Sequence, residues 1–121
     1  MENEEAVLAL AALAQPTRLN AFRILANHEP EGLAAGDLAR ELEVPPNTLS
    51  AHLSIMSRAN LVTSERHSRS IVYRANLAEF QKVALFLLQD CCGGRPEVCA
   101  PLIESLAPCC PPKKKKERSR A

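Results

Sequence analysis

The sequence predicts a mostly α-helical domain that carries one β-hairpin. Helical spacing of Leu and Ala dominates the first sixty residues, a short segment of strand-forming residues follows, and helical spacing then returns. Aromatic residues make up only 3% of the 121 residues, so aliphatic side chains must fill the core. We expect a folded domain over residues 1–92 and a cysteine-containing, basic and flexible tail over residues 93–121.

Three helices are predicted in the first 44 residues. Segment 2–14 has acids in its first turn, where the helix dipole favours them. Its Leu and Ala run almost all round the helix, which predicts burial on several sides. Segment 15–28 begins with a proline suited to a first helical turn. After a loop at residues 29–33, segment 34–44 is a short helix. Its apolar stripe contains Leu38, Ala39 and Leu42.

A fourth helix follows the chain break at "VPPN". Asn47 is a good N-cap for the segment that begins at Thr48. Leu49, Leu53 and Met56 are spaced i, i+4 and i+7, so they face a core. The other side is small and polar, with no large apolar group to prevent close approach to another surface. It contains Ser50, Ala51, Ser54 and Arg58.

Strand spacing replaces helical spacing after this helix. Val62, Ile71 and Tyr73 are strand formers on either side of the polar turn "ERHSRS", which predicts a two-stranded hairpin. A last helix is expected from Asn76, its cap, to about residue 92, where two glycines end it. Its apolar stripe contains Leu77, Phe80, Ala84, Leu87 and Leu88, is widened by Val83 and continues to Cys91.

Charge is distributed unevenly along the chain. Residues 1–46 carry a net charge of −5, whereas residues 47–74 carry +3. A basic middle segment is typical of a surface that binds a polyanion, although a solvated basic face explains it equally well. The N-terminus is acidic, unlike a signal peptide, and no apolar run approaches the roughly 20 residues of a membrane span. We therefore expect a cytoplasmic protein. No nucleophile–base pair or phosphate loop indicates an enzyme.

The order of elements predicts a winged helix-turn-helix. In this motif two short helices are joined by a tight turn and followed by a hairpin, and the second helix enters the DNA major groove. The predicted groove-facing residues are Asn47, Thr48, Ser50, Ala51, His52 and Ser54. Arg66 and Arg69 on the wing, together with Arg58, are candidates for phosphate or minor-groove contacts. His52 is a candidate either for DNA contact or for holding this helix.

Several segments resemble the ArsR/SmtB family of winged-helix metal- and metalloid-responsive repressors. They are "LAQPTRLNAFRIL", "GDLARELEVPPNTLSAHLSIMSRANLV", with its Ser-x-His-Leu step, and "ANLVTSERHSRSIVYR". The resemblance covers roughly residues 8–90. It implies a homodimer joined mainly by the first and last helices. It also implies release of operator DNA when a metal or metalloid binds.

Two ligand sites of that family are absent from this sequence. Many arsenic-responsive members carry cysteines before the recognition helix, where this chain has Ala34, Ala35 and Gly36. The predicted last helix has Glu79 and Asp90 but no His, so the zinc site of the family is missing as well. The segment "CCGGRPEVC" looks like a third arrangement, found in some arsenic-responsive members. This resemblance implies a metalloid site at Cys91, Cys92 and Cys99.

The chemistry of these thiols is consistent with that site. All five cysteines lie between residues 91 and 110, and in a reducing cytoplasm such a cluster indicates a metal or redox role. Three thiolates suit pyramidal As(III), the expected inducer, and no catalytic cofactor is expected. Antimony, or methylated trivalent arsenic on two thiolates, is an alternative. Zinc or cadmium with a fourth thiolate from Cys109 or Cys110 remains open, as does a thiol redox protein; otherwise we expect no essential role for this second pair.

Overall fold

The computed structural model describes residues 1–88. In chain order the elements are α1 (Asn3–Leu13), α2 (Pro16–Asn27), β1 (Leu33–Ala34), α3 (Ala35–Leu42), α4 (Pro46–Arg58), β2 (Val62–His67), β3 (Ser70–Ala75) and α5 (Leu77–Leu88). Five helices and a hairpin in this order confirm the predicted winged helix-turn-helix. None of the described helices is long and apolar enough to cross a membrane.

The chain divides into two compact units, Met1–Phe86 and Leu87–Ala121. The first unit holds α1 to β3 and most of α5. The predicted helix end after residue 88 and the predicted tail, residues 93–121, lie outside the described residues. The expected boundary between residues 92 and 93 therefore stays a prediction.

The wing is a three-stranded antiparallel sheet with β3 in the centre. The predicted hairpin is present, with Val62 opposite Ala75 at its base and His67 opposite Ser70 at its tip. The additional strand β1 pairs Leu33 with Tyr73. The prediction placed a loop at Leu33, and it was wrong there because a strand of two residues shows no alternation in the sequence.

Gly32 allows β1 to approach β3 closely. Its φ is +77°, and a Cβ at this position would lie 2.5 Å from the backbone oxygen of Tyr73. No L side chain fits that space, and few adopt that backbone conformation. The glycine therefore fixes the place where the chain enters the sheet after α2.

The core lies between α2, α3, α4 and the base of the hairpin. Leu49, Leu53 and Met56 are at most 1% exposed, which confirms the predicted inner face of α4. In α3, Leu38 and Ala39 are buried and Leu42 packs against the core from its edge. The largest fully buried side chains are Leu25, Leu38, Leu49, Leu53, Met56, Leu61 and Val83.

Within residues 1–88, helix α1 buries only one face, so burial on several sides stays a prediction. Its buried positions are all alanines, Ala6, Ala9 and Ala12. The larger side chains point away, and Val7 and Leu8 are 56% and 52% exposed. Small residues on the inner side let α1 lie close to its neighbours, and its bulky apolar side is left uncovered by residues 1–88.

Helix α5 likewise has few buried and many exposed apolar side chains within residues 1–88. Val83, expected only to widen the apolar stripe, is its one buried residue among those described. Phe80 contacts Phe22, with ring centroids 5.6 Å apart, yet it is still 40% exposed. Leu77 and Leu85 are also exposed. The part of the chain that the structure describes buries only one line of this wide apolar surface, and the predicted stripe lies mostly outside that line.

The two predicted asparagine caps have different outcomes. Asn76 caps α5 as expected: its Oδ1 accepts the backbone N–H of Glu79 at 3.3 Å, and its Nδ2 donates to the backbone oxygen of Asn60 at 2.9 Å. Asn47 is not the cap of α4, because that helix begins at Pro46. Proline suits the first helical position, since its fixed φ is helical and no N–H is needed there. Asn47 is therefore inside the first turn.

Candidate nucleic-acid interface

The outer side of α4 is small, polar and free of acids. The turn that precedes α4 places Glu43 in the left-handed region, with φ 58°, and its backbone N–H donates to Arg40 at 3.2 Å. This tight turn sets α4 against α3. The predicted residues on the outer side are all exposed: Asn47, Thr48, Ser50, Ala51, Ser54 and Arg58. No Asp or Glu occurs between residues 46 and 58, so nothing on the helix repels a phosphate backbone.

His52 differs from these residues because it is half-buried and bonded to another helix. Its Nδ1 lies 3.2 Å from Nη1 of Arg18, a residue in the first turn of α2. The Nε of Arg18 donates to the backbone oxygen of Ala12 at 2.6 Å. Of the two predicted roles of His52, the structure shows a contact that holds α4. Contact with DNA stays a prediction.

Two wing arginines, Arg66 and Arg69, are exposed and have no ion pair within residues 1–88. Arg66 lies on β2 opposite Ile71, and Arg69 lies in the two-residue turn that joins the strands. Within residues 1–88, neither guanidinium forms an ion pair or a side-chain hydrogen bond, and Arg58 at the end of α4 forms none either. Free cations of this kind suit phosphate contact. The three predicted arginines are thus available on the surface.

Arg74, the last arginine of the wing, is engaged with Glu29. Its Nη2 and Nε donate to the two carboxylate oxygens at 2.8 and 3.4 Å. The side-chain hydrogen bond to Glu29, reinforced by the carboxylate charge, raises the pKa of Arg74 above its usual value. The pair ties β3 to the loop after α2. Arg74 therefore holds the base of the wing, while the tip carries the free charge.

The predicted metalloid ligands Cys91, Cys92 and Cys99 lie outside the described residues. Within residues 1–88, no three His, Cys, Asp or Glu side chains are grouped closely enough to hold a metal ion. Two histidines have carboxylate neighbours instead: Nε2 of His28 is 3.8 Å from Glu41, and Nε2 of His67 is 3.2 Å from Glu65.

Sequence reasoning missed the contacts of Arg18 and Arg74. Arg18 lies in the segment "PTRL" and His52 in the Ser-x-His-Leu step, so both segments were singled out. However, 34 residues separate the two side chains, and no spacing rule predicts their contact. Similarly, 45 residues separate Glu29 from Arg74. Such long-range pairs require the packed structure.

Comparisons with known proteins agree with this architecture. A family model described as a helix-turn-helix domain matches residues 13–65. An ArsR-like transcriptional regulator from Rhodococcus sp. RHA1 is 29% identical, with 86% of this chain and 93% of that chain covered and a TM-score of 0.66. The search of the curated proteins gave no match.

Two further solved structures are similar. One, described as a possible transcriptional regulator for arsenical resistance, is 28% identical over 64% of this chain and 79% of that chain, with a TM-score of 0.57. The other is a homodimeric winged helix-turn-helix DNA-binding domain from Mycobacterium bovis. It is 23% identical over 70% of this chain and 77% of that chain, with a TM-score of 0.60, which supports the fold alone. This chain is a winged helix-turn-helix protein that is similar to ArsR-like transcriptional regulators.

Proposed function

We propose that the protein is a homodimeric, DNA-binding repressor that leaves its operator when trivalent arsenic binds to its cysteines. The observation that carries the DNA-binding part is the exposed side of α4, which has no acid between residues 46 and 58, together with two wing arginines, Arg66 and Arg69, that have no ion pair within residues 1–88. A surface with small side chains approaches base edges closely, and unpaired guanidinium groups hold phosphates. A DNA-binding repressor of this kind would act in the cytoplasm.

The proposed dimer rests on the apolar surfaces of α1 and α5 that residues 1–88 leave uncovered. Leu8 on α1 is 52% exposed, and Leu85 on α5 is 69% exposed. Neighbouring exposed side chains on the same helices are Val7, Leu10, Leu77 and Phe80. Apolar side chains this large and this numerous usually mark an interaction surface. A second copy of the chain is the partner we propose, since a two-fold dimer would present two α4 helices to successive turns of the major groove.

The proposed inducer rests on the sequence of the cysteine segment and on one similar protein. Three thiols at residues 91, 92 and 99 match the three replaceable positions of As(III). The similar protein described as a possible regulator for arsenical resistance supports the same ligand class. Antimonite is included in the proposal, and methylated trivalent arsenic, cadmium and zinc are the alternatives.

The DNA-binding part can be tested by selection from a library of random duplexes. We expect enrichment of an imperfect palindrome whose half-sites are spaced by about one helical turn. Ser50→Ala is expected to change the preference among half-site sequences, because Ser50 is exposed on the outer side of α4. If no sequence were enriched, the proposal of a DNA-binding repressor would be overturned, and the alternative of a thiol redox protein would be favoured.

The inducer can be tested by titrating the selected complex with arsenite, antimonite, methylarsenite, zinc and cadmium in separate experiments. Fluorescence anisotropy of labelled duplex reports release. Arsenite and antimonite are expected to release the DNA at the lowest concentrations. Release by zinc or cadmium alone would show a four-thiolate site, and release by methylarsenite alone would show a two-thiolate site.

A further inference from the structure

The Arg18 side chain connects three helices. Its Nε donates to the backbone oxygen of Ala12 in the last turn of α1, and its Nη1 reaches Nδ1 of His52 in the middle of α4. Its own backbone N–H is bonded separately, to Oε1 of Gln15 at 2.8 Å. One of these bonds therefore satisfies the backbone oxygen of Ala12 at the end of α1. The other bond, to His52, contributes nothing to the end of α1.

The second bond selects the tautomer of the His52 ring. A guanidinium carries five N–H donors and no acceptor, so Nδ1 of His52 must accept this hydrogen bond. The ring proton is then on Nε2. Within residues 1–88, Nε2 of His52 has no hydrogen-bond partner, although the residue is half-buried in α4. The neighbouring positions 51 and 54 of α4 are exposed. The fixed His52 ring is therefore suited to donate its Nε2–H to an acceptor on another molecule.

We infer that Arg18 is a positioning residue for sequence recognition: it holds His52 in the Nε2–H form, and this donor bonds to an acceptor on a base edge in the major groove. The acceptor class is purine N7, guanine O6 or thymine O4. Arg18 itself does not touch the DNA. This inference rests on the proposed DNA-binding function and names the residue pair on which its specificity depends.

The alternative is that Arg18 only ties α1 to α2 and α4. In that case its loss would lower the stability of the fold and would weaken binding to every duplex by the same factor. Two variants separate the alternatives. His52→Asn keeps an acceptor oxygen near the place of Nδ1 but has no group at the place of Nε2. Arg18→Lys keeps the positive charge but lacks the planar fork that bonds Ala12 and His52 together.

The experiment measures the affinity of the wild type, His52→Asn, Arg18→Lys and the double variant for the operator and for duplexes with single base-pair changes. We expect His52→Asn and Arg18→Lys each to reduce discrimination at the same base pair, by about tenfold, the order expected for one base contact. In the double variant we expect no further loss. If a variant weakened the affinity for all duplexes equally, the inference would be overturned, and Arg18 would be a structural tie or His52 a phosphate contact. If the losses of discrimination in the two single variants added up in the double variant, the inference would also be overturned.

The ring proton gives a readout that does not need DNA. Ring ¹⁵N resonances distinguish the two neutral tautomers, and His52→Asn identifies the signals among those of His28 and His67. We expect the Nε2–H form in the wild type and a mixture of tautomers in Arg18→Lys. An unchanged tautomer in Arg18→Lys would overturn the positioning role even if the DNA results agreed. Failure of the wild type to bind any duplex, with the ring signature as expected, would instead overturn the proposed function.

Discussion

Glu29 accepts two hydrogen bonds from Arg74, and this pair joins the loop after α2 to the central strand of the wing. The Arg74 side chain is 45% exposed and the Glu29 side chain 20% exposed, so the bond lies at the edge of the fold. The pair divides the arginines of the wing into two kinds. Arg74 is paired with Glu29, whereas Arg66 and Arg69 have no ion pair within residues 1–88.

This division predicts different salt dependence for two alanine variants. Arg69→Ala should weaken binding to every duplex and reduce the slope of log affinity against log salt by about 0.9, the value for one lost phosphate contact. Arg74→Ala should leave that slope unchanged, because its charge is already paired. Anisotropy titrations over a range of salt concentrations measure both slopes. Equal slopes for the two variants would show that the roles are assigned wrongly.

The Glu29–Arg74 pair should contribute modestly to stability. An exposed ion pair gains little because solvent screens the two charges, and the bidentate hydrogen bonds add to that small gain. Glu29→Gln keeps the size of the side chain and removes the charge. We expect it to lower the midpoint of urea denaturation only slightly. Raising the salt concentration should shrink the difference from the wild type; a larger loss that salt does not change would contradict a surface ion pair.

Gly32→Ala tests the contact that positions the wing. The added Cβ would meet the backbone oxygen of Tyr73 at 2.5 Å, and φ at this position is +77°. We expect a loss of about 1–3 kcal/mol in the free energy of unfolding, the order expected for such strain. Gly36→Ala is the matched control, because its nearest neighbour, Nη1 of Arg40, is 3.9 Å away and its backbone is helical. The control should be neutral or stabilising by up to about 1 kcal/mol.

The proposed dimer predicts that a charge on α1 or α5 separates the subunits. Leu8→Glu and Leu85→Glu place a carboxylate on surfaces that residues 1–88 leave exposed, so each subunit should still fold. Light scattering at micromolar concentration should report a dimer for the wild type and a monomer for both variants. Ile71→Glu on the wing is the control, since Ile71 is 37% exposed but lies on neither helix. A wild-type monomer would contradict the proposed assembly.

The sequence predicts most of the fold because α4 follows simple helical spacing. Leu49, Leu53 and Met56 are core residues, and the polar positions between them are exposed, as their spacing requires. Helices α1 and α5 are apolar on more than one side, and spacing does not say which side the same chain covers. The structure shows that Ala9 lies on the buried side of α1 and Val83 on the buried side of α5. The exposed DNA-facing candidates follow from the sequence, whereas the Arg18 contact depends on packing between distant segments.

Removal of single thiols should separate DNA binding from induction. The cysteines lie outside residues 1–88, whose fold contains the whole proposed DNA surface, so Cys91→Ser and Cys92→Ser should each bind the operator like the wild type. Each should lose release by arsenite, because two thiolates do not close a three-thiolate site on inorganic As(III). Cys109→Ser combined with Cys110→Ser is the control and should change little. Operator binding and release are both measured by anisotropy.

The size of the expected effect follows from the linkage between the two ligands. A ligand shifts an equilibrium only by its differential affinity for the two states, so a 100-fold weakening of DNA binding requires a coupling of about 2.7 kcal/mol. The chain has no thiol in residues 1–90 that would capture As(III) without closing the site, so arsenite would act on DNA binding only through the cysteines between residues 91 and 110. Normal release from the Cys91→Ser/Cys92→Ser double variant would rule out the proposed site. Loss of operator binding before any arsenite is added would show that these two residues are structural.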